Sequence, residues 1–401
     1  MVYNSKNPIK HCSYFHHMTF KDFLAPLNVD DFGTENSPVN TYYSQVHKNI
    51  TAFPDLENID IVIFGVNELR NTKNQYLAPG ISYSADALRR QFYKLYKGNY
   101  EVRIADLGNI EAANGFNDSA FAFQETVRQL LELNKTVIVF GTHRELITAH
   151  YKGFETTTKT LNLAVLDAYL DLSELENEES YLTRIIKHTP EYLFNISHIG
   201  SQMYLNEPGA AKLMDAMLFD VCRLGVVRKN LTDTEPIFRN ADMVCVNTPA
   251  IKQVDFPAQL NGSANGLLSE EICALMRFAG MGNKVRSLGI YDYISDLDTG
   301  EQSSKLAAQM LWHFIDGFYN RVDENPLQNE HDFIRYRVAL HSNNTNEMVF
   351  YKSTITERWY MEVTSNYHKN SFTLPCSYSD YQSACNGDIP ERWMKATQKL
   401  M

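Results

Sequence analysis

Between residues 59 and 319 the chain alternates short apolar runs with segments of helical spacing, and this alternation constrains the fold more than any other feature. The first run, residues 59–66, is rich in β-branched side chains, which is typical of a strand buried on both faces. Ser84 then precedes apolar residues at helical spacing, including Leu88 and Phe92, and predicts a capped helix. Repeated strand and helix segments indicate a parallel sheet covered by helices on both faces.

The same pattern continues along the chain. Further strands are predicted at residues 100–105, 136–140, 161–166, 192–198, 243–246 and 285–291. Helices are predicted at residues 84–96, 119–133, 144–151, 179–187, 208–219, 269–278 and 304–319. The expected fold is therefore α/β, a three-layer α/β/α arrangement with a mostly parallel sheet of about seven to eight strands. Ligands of such sheets bind beyond the carboxyl ends of the strands, where the polar segments after Gly141, Leu166 and Val246 all lie.

Both ends of the chain differ from this central part in composition and in hydrophobic periodicity. Residues 1–57 are polar and aromatic with little periodicity, apart from a short helix predicted near residues 20–24. After Pro326 the pattern becomes one of alternating strands, at residues 333–340, 348–352 and 358–363. We therefore expect an N-terminal extension (1–57), a main domain (58–325) and a small β appendage (326–401) packed on the core.

Composition excludes several classes of function. The net charge is -11 and Lys and Arg are not clustered, which argues against a nucleic-acid partner. The sequence contains no run of 18 apolar residues, so no membrane span is predicted. The N-terminus also lacks the apolar core of a signal peptide. Six cysteines without metal-site spacing are expected to be reduced thiols. A cytoplasmic protein is the resulting prediction.

Several segments together resemble the ureohydrolases, the superfamily of arginase, agmatinase and formimidoylglutamase. They are Ala78-Pro79-Gly80, the helix start at residues 85–90, Asp106-Leu107-Gly108-Asn109-Ile110, and the last strand at residues 287–291. The resemblance spans roughly residues 59–320. It implies an arginase-like fold, a homo-oligomer, a pair of Mn²⁺ ions, and hydrolysis of a C–N bond in a small linear amidine or guanidino substrate.

The metal-binding segments of that superfamily are only partly retained. Asp167-Ala168-Tyr169-Leu170-Asp171 is similar to its Asp-Ala-His-x-Asp motif, with Tyr169 in place of the histidine. Gly141-Thr142-His143-Arg144 stands where the superfamily has Gly-Asp-His-Ser, so the ligand histidine is retained as His143. In the last segment Asn247 and Pro249 replace two carboxylate ligands.

By the coordination pattern that the resemblance implies, the losses fall mainly on one metal. The first ion would be held by His143, Asp167, Asp171 and Asn247. The second would depend on Asp167, Asn247, Tyr169 and Pro249, a set with a single carboxylate. Hard cations prefer charged oxygens to amides, and two dications with too few anions repel each other strongly. At most one Mn²⁺ ion is therefore expected.

The resemblance also implies a substrate-orienting carboxylate. Asn265-Gly266-Leu267-Leu268-Ser269-Glu270-Glu271 is similar to a Gly-Gly-Leu-Thr-x-Arg-Glu helix start, which places Glu271 at that catalytic position. The alternative is an ordinary acid in the first turn of a helix. The histidine that shuttles protons in the superfamily has no clear counterpart around residues 173–180.

Two functional hypotheses remain. In the first, the chain is a divergent ureohydrolase with an incomplete dimetal centre, reduced or lost catalysis, and a structural or regulatory role. In the second, it is an active Mn²⁺-dependent hydrolase of formimidoylglutamate, agmatine or arginine type, with an unusual ligand such as a Tyr169 phenolate. Metal stoichiometry discriminates between them.

Overall fold

The computed structural model describes residues 18–28, 32, 38–70, 84–172, 180–339, 347–364 and 371–400. Its large sheet contains β1 (Leu24–Ala25), β2 (His47–Lys48), β3 (Ile61–Asn67), β4 (Ile104–Glu111), β5 (Thr136–Gly141), β6 (Leu161–Leu166), β7 (Leu193–Ser201), β8 (Asp220–Arg223), β9 (Met243–Asn247) and β10 (Ser287–Tyr291). The helices of this part are α1 (Tyr42–Gln45), α2 (Ser84–Phe92), α3 (Phe116–Glu132), α4 (Ile147–Lys152), α5 (Tyr181–Ile186), α6 (Pro208–Ala216), α7 (Leu224–Lys229), α8 (Glu235–Asn240), α9 (Ser269–Met281) and α10 (Gln302–Tyr319). A 3-10 turn at Phe20–Phe23 lies where a short helix was predicted.

The strand order is β1-β4-β3-β5-β10-β9-β6-β7-β8, and β2 pairs with β4. Apart from the antiparallel β1–β4 pair, neighbouring strands run parallel, so the predicted mostly parallel sheet is confirmed. The sheet has ten strands rather than seven or eight. The three additional strands, β1, β2 and β8, have only two to four residues each, too few to produce a periodic signal.

Alternate residues of the central strands pack into two separate hydrophobic cores, one on each face of the sheet. On β3, Ile61 and Ile63 pack with α2, α9 and α10, whereas Val62 and Phe64 pack with α3 and α4 on the other face. This period-two division confirms the three-layer arrangement, because each face of a parallel sheet must be covered. Among the described helices, none is both long enough and apolar enough to cross a bilayer.

Some predicted boundaries are wrong. Strand β4 was predicted to end at Ala105 but continues to Glu111. The predicted strand stopped before the polar residues Asp106 and Asn109, yet both are hydrogen-bonded to the buried Arg89 of α2, which reduces the cost of placing them inside the sheet. The predicted helix at residues 144–151 is a 3-10 turn, Arg144–Leu146, followed by α4. The predicted Gly80 loop lies outside the described residues.

Arg89 joins the two segments, in α2 and β4, that carry part of the superfamily resemblance. Its side chain is fully buried and bonds Asp106 at 2.8 and 2.9 Å, Asp86 at 2.8 Å and the Gly108 carbonyl at 2.8 Å. Burial opposes the charge, but Asp106 and Asp86 hold the pKa of the guanidinium above its ordinary value. The network therefore fixes α2 against the sheet.

We expect Arg89→Leu to lower the free energy of unfolding by about 3 to 5 kcal/mol, because it leaves two buried carboxylates without a counter-ion. Urea unfolding at neutral pH measures the loss. Arg128→Leu is the matched control: Arg128 pairs with Glu125 on the surface of α3 with 28% of its side chain exposed, so a loss below about 1 kcal/mol is expected. Equal losses of unfolding free energy in both variants would contradict the conclusion that the buried Arg89 network stabilises the fold.

A second, four-stranded antiparallel sheet follows α10, in the order β11-β12-β13-β14. Its elements are β11 (Phe333–Ala339), β12 (Glu347–Ser353), β13 (Trp359–Thr364), β14 (Ser371–Cys376), α11 (Tyr378–Cys385) and α12 (Glu391–Lys399). The sequence predicted the first three strands and missed β14 and both helices. Arg239 of α8 donates to the carbonyl oxygens of Trp359 and Cys376 at 3.2 and 3.0 Å, which links this sheet to the main body.

Candidate functional site

Four neighbouring strands bring the candidate residues together. β5, β10, β9 and β6 are adjacent and parallel, so their carboxyl ends meet at one edge of the sheet. His143 and Arg144 follow β5, Asp292 follows β10, Asn247 ends β9, and Asp167 follows β6. The residues that follow or end these four strands therefore lie together at one edge of the sheet.

The centre of the site is the guanidinium of Arg144. Its Nη1 lies 3.0 Å from Asp167 Oδ2, and its Nε and Nη2 both lie 2.6 Å from Asp292 Oδ2. The backbone N–H of Arg144 also donates to Asp292 Oδ1 at 2.9 Å. Only 12% of the Arg144 side chain is exposed, and the two carboxylates are almost fully buried. A fixed organic cation thus joins the ends of β6 and β10.

Asp167 uses both of its oxygens within the protein. Oδ1 accepts a hydrogen bond from the Tyr169 backbone at 3.1 Å. Oδ2 accepts from Arg144 and also from Asn247 Nδ2 at 2.6 Å. The same Asn247 nitrogen lies 3.3 Å from the hydroxyl of Tyr181 on α5. Asn247 therefore acts as a donor toward Asp167.

Tyr169 packs its ring against this cation. The ring centroid lies 5.6 Å from Arg144 Cζ, within the range of a cation–π contact, and the hydroxyl donates to the Asn261 carbonyl at 3.2 Å. His198 of β7 approaches the Tyr169 backbone carbonyl with Nε2 at 2.9 Å. The residue that replaces a ligand histidine thus contributes an aromatic face and a loop contact.

The pKa shifts follow from burial and from the ion pairs. Burial raises the pKa of Asp167 to about 6, and Arg144 and Asn247 oppose that rise. Burial also opposes the charge of Arg144, but Asp167, Asp292 and Asp171 outweigh it and hold the Arg144 pKa well above its ordinary value. Burial raises the pKa of Tyr169, which keeps its phenol protonated at neutral pH. At that pH the cluster contains a permanent cation.

The remaining candidate residues have their own local partners. His143 precedes the 3-10 turn, and its Nδ1 accepts the Glu145 backbone N–H at 3.3 Å, while burial lowers its pKa. Asp171 has a left-handed backbone with φ of 45° and acts electrostatically on Arg144. Glu271 accepts a hydrogen bond from the Leu268 backbone at 2.8 Å. Arg228 Nε also lies 3.3 Å from the Glu271 carboxylate.

The sequence interpretation missed two residues of the site, Arg144 and Asp292. A signal existed for both: Arg144 stands where the superfamily motif has a serine, and Asp292 comes directly after the apolar strand 285–291. A backbone φ of 62° turns Asp292 at the end of β10, and its carbonyl accepts a hydrogen bond from Thr248 at 2.7 Å. Neither residue stands at a ligand position of the superfamily motifs, so neither was predicted to belong to the site.

Comparison with known proteins agrees with this architecture. No protein-family model matches the sequence. A formimidoylglutamase of Legionella pneumophila is 24% identical over 254 residues, which cover 59% of this chain and 79% of the relative. The chain is thus similar in sequence to a ureohydrolase.

Solved ureohydrolase structures share the fold at low sequence identity. Formimidoylglutamase of Bacillus subtilis has a TM-score of 0.63 and 15% identity, with 73% of this chain and 95% of that chain covered. Formiminoglutamase of Trypanosoma cruzi with Mn²⁺ has a TM-score of 0.62 and 16% identity, with 72% and 100% covered. Arginase of Bacillus subtilis has a TM-score of 0.54 and 16% identity, with 64% and 98% covered. These likenesses establish the arginase-like fold.

The residues present do not fit the manganese pair of a working ureohydrolase. Within the described ranges, no three His, Cys, Asp or Glu side chains converge to hold a metal ion. A dication on Asp167 Oδ2 would lie within about 5 Å of the Arg144 guanidinium and be repelled by about 7 kcal/mol at an effective dielectric constant near 20. Asn247 Oδ1 is buried and accepts no hydrogen bond from any described residue, but it is a single neutral oxygen.

Proposed function

We propose that this ureohydrolase has exchanged its dimetal centre for an internal arginine and no longer catalyses amidine hydrolysis at an appreciable rate. One observation carries the proposal: the Arg144 guanidinium forms an ion pair with Asp167, the carboxylate that by resemblance would bridge the two ions. A fixed monovalent cation has no open coordination position and cannot generate a metal-bound hydroxide. The protein then has a structural or regulatory role.

Three substitutions at ligand positions are consistent with this exchange. Asn247 replaces an anion by a donor that bonds Asp167, which lowers the negative charge that one arginine must balance. Tyr169 replaces an imidazole by an aromatic face that contacts Arg144. Pro249 lies in the 3-10 turn after β9 and offers no ligand atom in its side chain. The first two changes suit a cation at Arg144, and the third removes a metal ligand.

The alternative is an active Mn²⁺-dependent hydrolase, and the formimidoylglutamase relative favours it. Glu271 would then orient the substrate, with His143, Asp167, Asp171 and Asn247 as ligands of one ion and a Tyr169 phenolate as an unusual ligand of the second. Two observations count against it: the pKa of Tyr169 is raised, so a phenolate ligand is disfavoured at neutral pH, and Arg144 already neutralises Asp167. If this alternative holds, the substrate is a small linear amidine such as formimidoylglutamate.

Manganese loading tests the proposal. After incubation with excess MnCl₂ and gel filtration, we expect at most one equivalent of manganese per chain and no formamide release from formimidoylglutamate. The Trypanosoma cruzi formiminoglutamase, handled in parallel, controls for loading and assay. Two tightly held equivalents together with formamide release would reject the proposal and favour the alternative.

We further propose that the protein is a cytoplasmic homo-oligomer, as the superfamily resemblance implies. The negative net charge of -11 argues against nucleic acid as a partner. Sedimentation equilibrium measures the oligomeric state directly, and a monomer at micromolar concentration would contradict this part of the proposal.

A further inference from the structure

A cavity of about 240 Å³ lies at the opposite edge of the sheet from the candidate site. Its floor is formed by the amino-terminal parts of β6 and β7 and by β8, and α12 covers it. Three basic residues of α12 line it, namely Arg392, Lys395 and Lys399. They are spaced three and four residues apart, so they share one face of the helix.

One of these cations, Lys395, is paired with acidic side chains of the protein. Lys395 Nζ lies 2.8 Å from Glu391 and 3.6 Å from Asp220, and it donates to the Phe219 carbonyl at 2.9 Å. Asp220 in turn accepts hydrogen bonds from Asn195 and Ser197 at 2.9 and 3.1 Å. The acids around Lys395 are therefore already engaged.

Lys399 is bonded only to neutral acceptors. Its Nζ donates to Asn195 Oδ1 at 2.5 Å and to the Phe194 carbonyl at 3.2 Å, and it lies 4.9 Å from the ring centroid of Phe219. No carboxylate of the described residues lies within 4.0 Å of this ammonium group. Burial accordingly lowers the pKa of Lys399 to about 8, a shift that an anion in the cavity would reverse.

Arg392 is also incompletely satisfied. Its Nε is buried and bonds no other atom of the described residues. The nearest carboxylate, Asp380, is 3.8 Å away and already accepts two hydrogen bonds from Ser377 as the cap of α11. A guanidinium left in this state favours a planar anion that its fork can bind.

The rest of the lining narrows the chemistry of the ligand. Leu163, Ile237 and Leu374 provide apolar surface, and Asn162 and Asn240 add amide groups. A compact inorganic anion would leave the apolar wall in contact with water. An organic acid would cover it, which is the usual pattern of a small-molecule site.

We propose that this cavity binds a small dicarboxylate, with one carboxylate on Arg392 and the other on Lys399. Asp220, Asp380 and Glu391 also line the cavity, but among the described residues no carboxylate forms a hydrogen bond with Arg392 Nε or Lys399 Nζ. One carboxylate of the ligand at each of these two cations would supply that bond, and the apolar wall accommodates the carbon chain between them. The ligand would connect α12 to the amino-terminal edge of the main sheet. This site is independent of Arg144 and of any metal, so it stands whether or not the proposed loss of catalysis is correct.

The test uses the full chain and the straight-chain dicarboxylates from malonate to adipate. At constant ionic strength, we expect at least one of them to raise the melting temperature above the value in sodium sulfate, and calorimetric titration to give a saturable Kd. Lys399→Met and Arg392→Met should each weaken that binding at least tenfold. Lys229→Met is the matched control, since Lys229 is exposed at the end of α7 and lines no part of the cavity.

Two results would overturn the proposal: no member of the series exceeding sulfate, or unchanged affinity in Lys399→Met. A second measurement needs no variant. Acetylation of the native protein at pH 8 should modify Lys399, and the dicarboxylate that binds should protect this residue selectively, as read by mass spectrometry. Equal labelling of Lys399 with and without that dicarboxylate would equally reject the site.

Discussion

Arg144→Ala is expected to lower the free energy of unfolding by about 3 to 5 kcal/mol at pH 8, the cost of leaving buried carboxylates without their counter-ion. Asp167 and Asp292 have 0% and 2% of their side chains exposed, so water cannot replace the guanidinium. Asp167 would keep the Asn247 and Tyr169 donors, which are neutral. Chemical unfolding of the two proteins at matched salt measures the difference.

The loss should depend on pH in a defined direction. The pKa of Asp167 is about 6 in the folded protein against an ordinary 3.8, chiefly because of burial. A carboxyl whose pKa rises on folding contributes stability at low pH and loses it as pH rises through the folded pKa. Without Arg144 that pKa rises further, so the part of the difference that comes from Asp167 should grow as the pH rises from 5 to 8.

Two control variants define what the result means. Arg144→Lys keeps the charge but not the fork, so it should recover only part of the loss. Arg277→Ala removes an arginine that is 40% exposed and pairs with Asp316 at 2.8 Å, and it should cost below about 1 kcal/mol. An Arg144→Ala protein as stable as the parent at pH 8 would show that the cation does not balance the buried carboxylates.

Much of the fold follows from periodicity in the sequence. The apolar runs of β3, β5, β6, β9 and β10 are long enough to identify central strands, and the carboxyl-end rule placed the segments after Gly141, Leu166 and Val246 at one edge. What escaped were elements of two to four residues and the extension of β4 through Asp106. That extension depends on a hydrogen bond from Arg89, which lies 17 residues before Asp106 in the sequence. A local sequence pattern cannot reveal such a partner.

The site shows the same division between pattern and geometry. Ligand positions were predictable because the motif spacing survives around Asp167 and His143. The direction of the Arg144 side chain was not, because an arginine after a strand is compatible with solvent, a phosphate or an ion pair. Its partner Asp292 is 148 residues away along the chain. Counting lost ligands indicated a deficit of negative charge, whereas the structure places a positive charge there.

Restoring the superfamily ligands should therefore require removal of Arg144. In the variant Arg144→Ser, Tyr169→His, Asn247→Asp, Pro249→Asp, we expect close to two manganese ions per chain after loading, against at most one in the parent. Four ligand carboxylates together with Asp292 would repel one another without metal, so the apo form should be markedly less stable. Each ion should return about 3 kcal/mol at a hundredfold excess over its Kd.

The decisive comparison is with the triple variant Tyr169→His, Asn247→Asp, Pro249→Asp, which keeps Arg144. It carries the same six ligand side chains, but the Arg144 guanidinium still forms an ion pair with Asp167. Its manganese content should therefore stay at or below one equivalent per chain. Elemental analysis and the manganese-dependent shift in melting temperature report the result without relying on activity. Two ions in the triple variant would mean that Arg144 yields readily to metal. No increase in a folded quadruple variant would mean that His143, Asp167 and Asp171 do not occupy the positions assigned to them by resemblance.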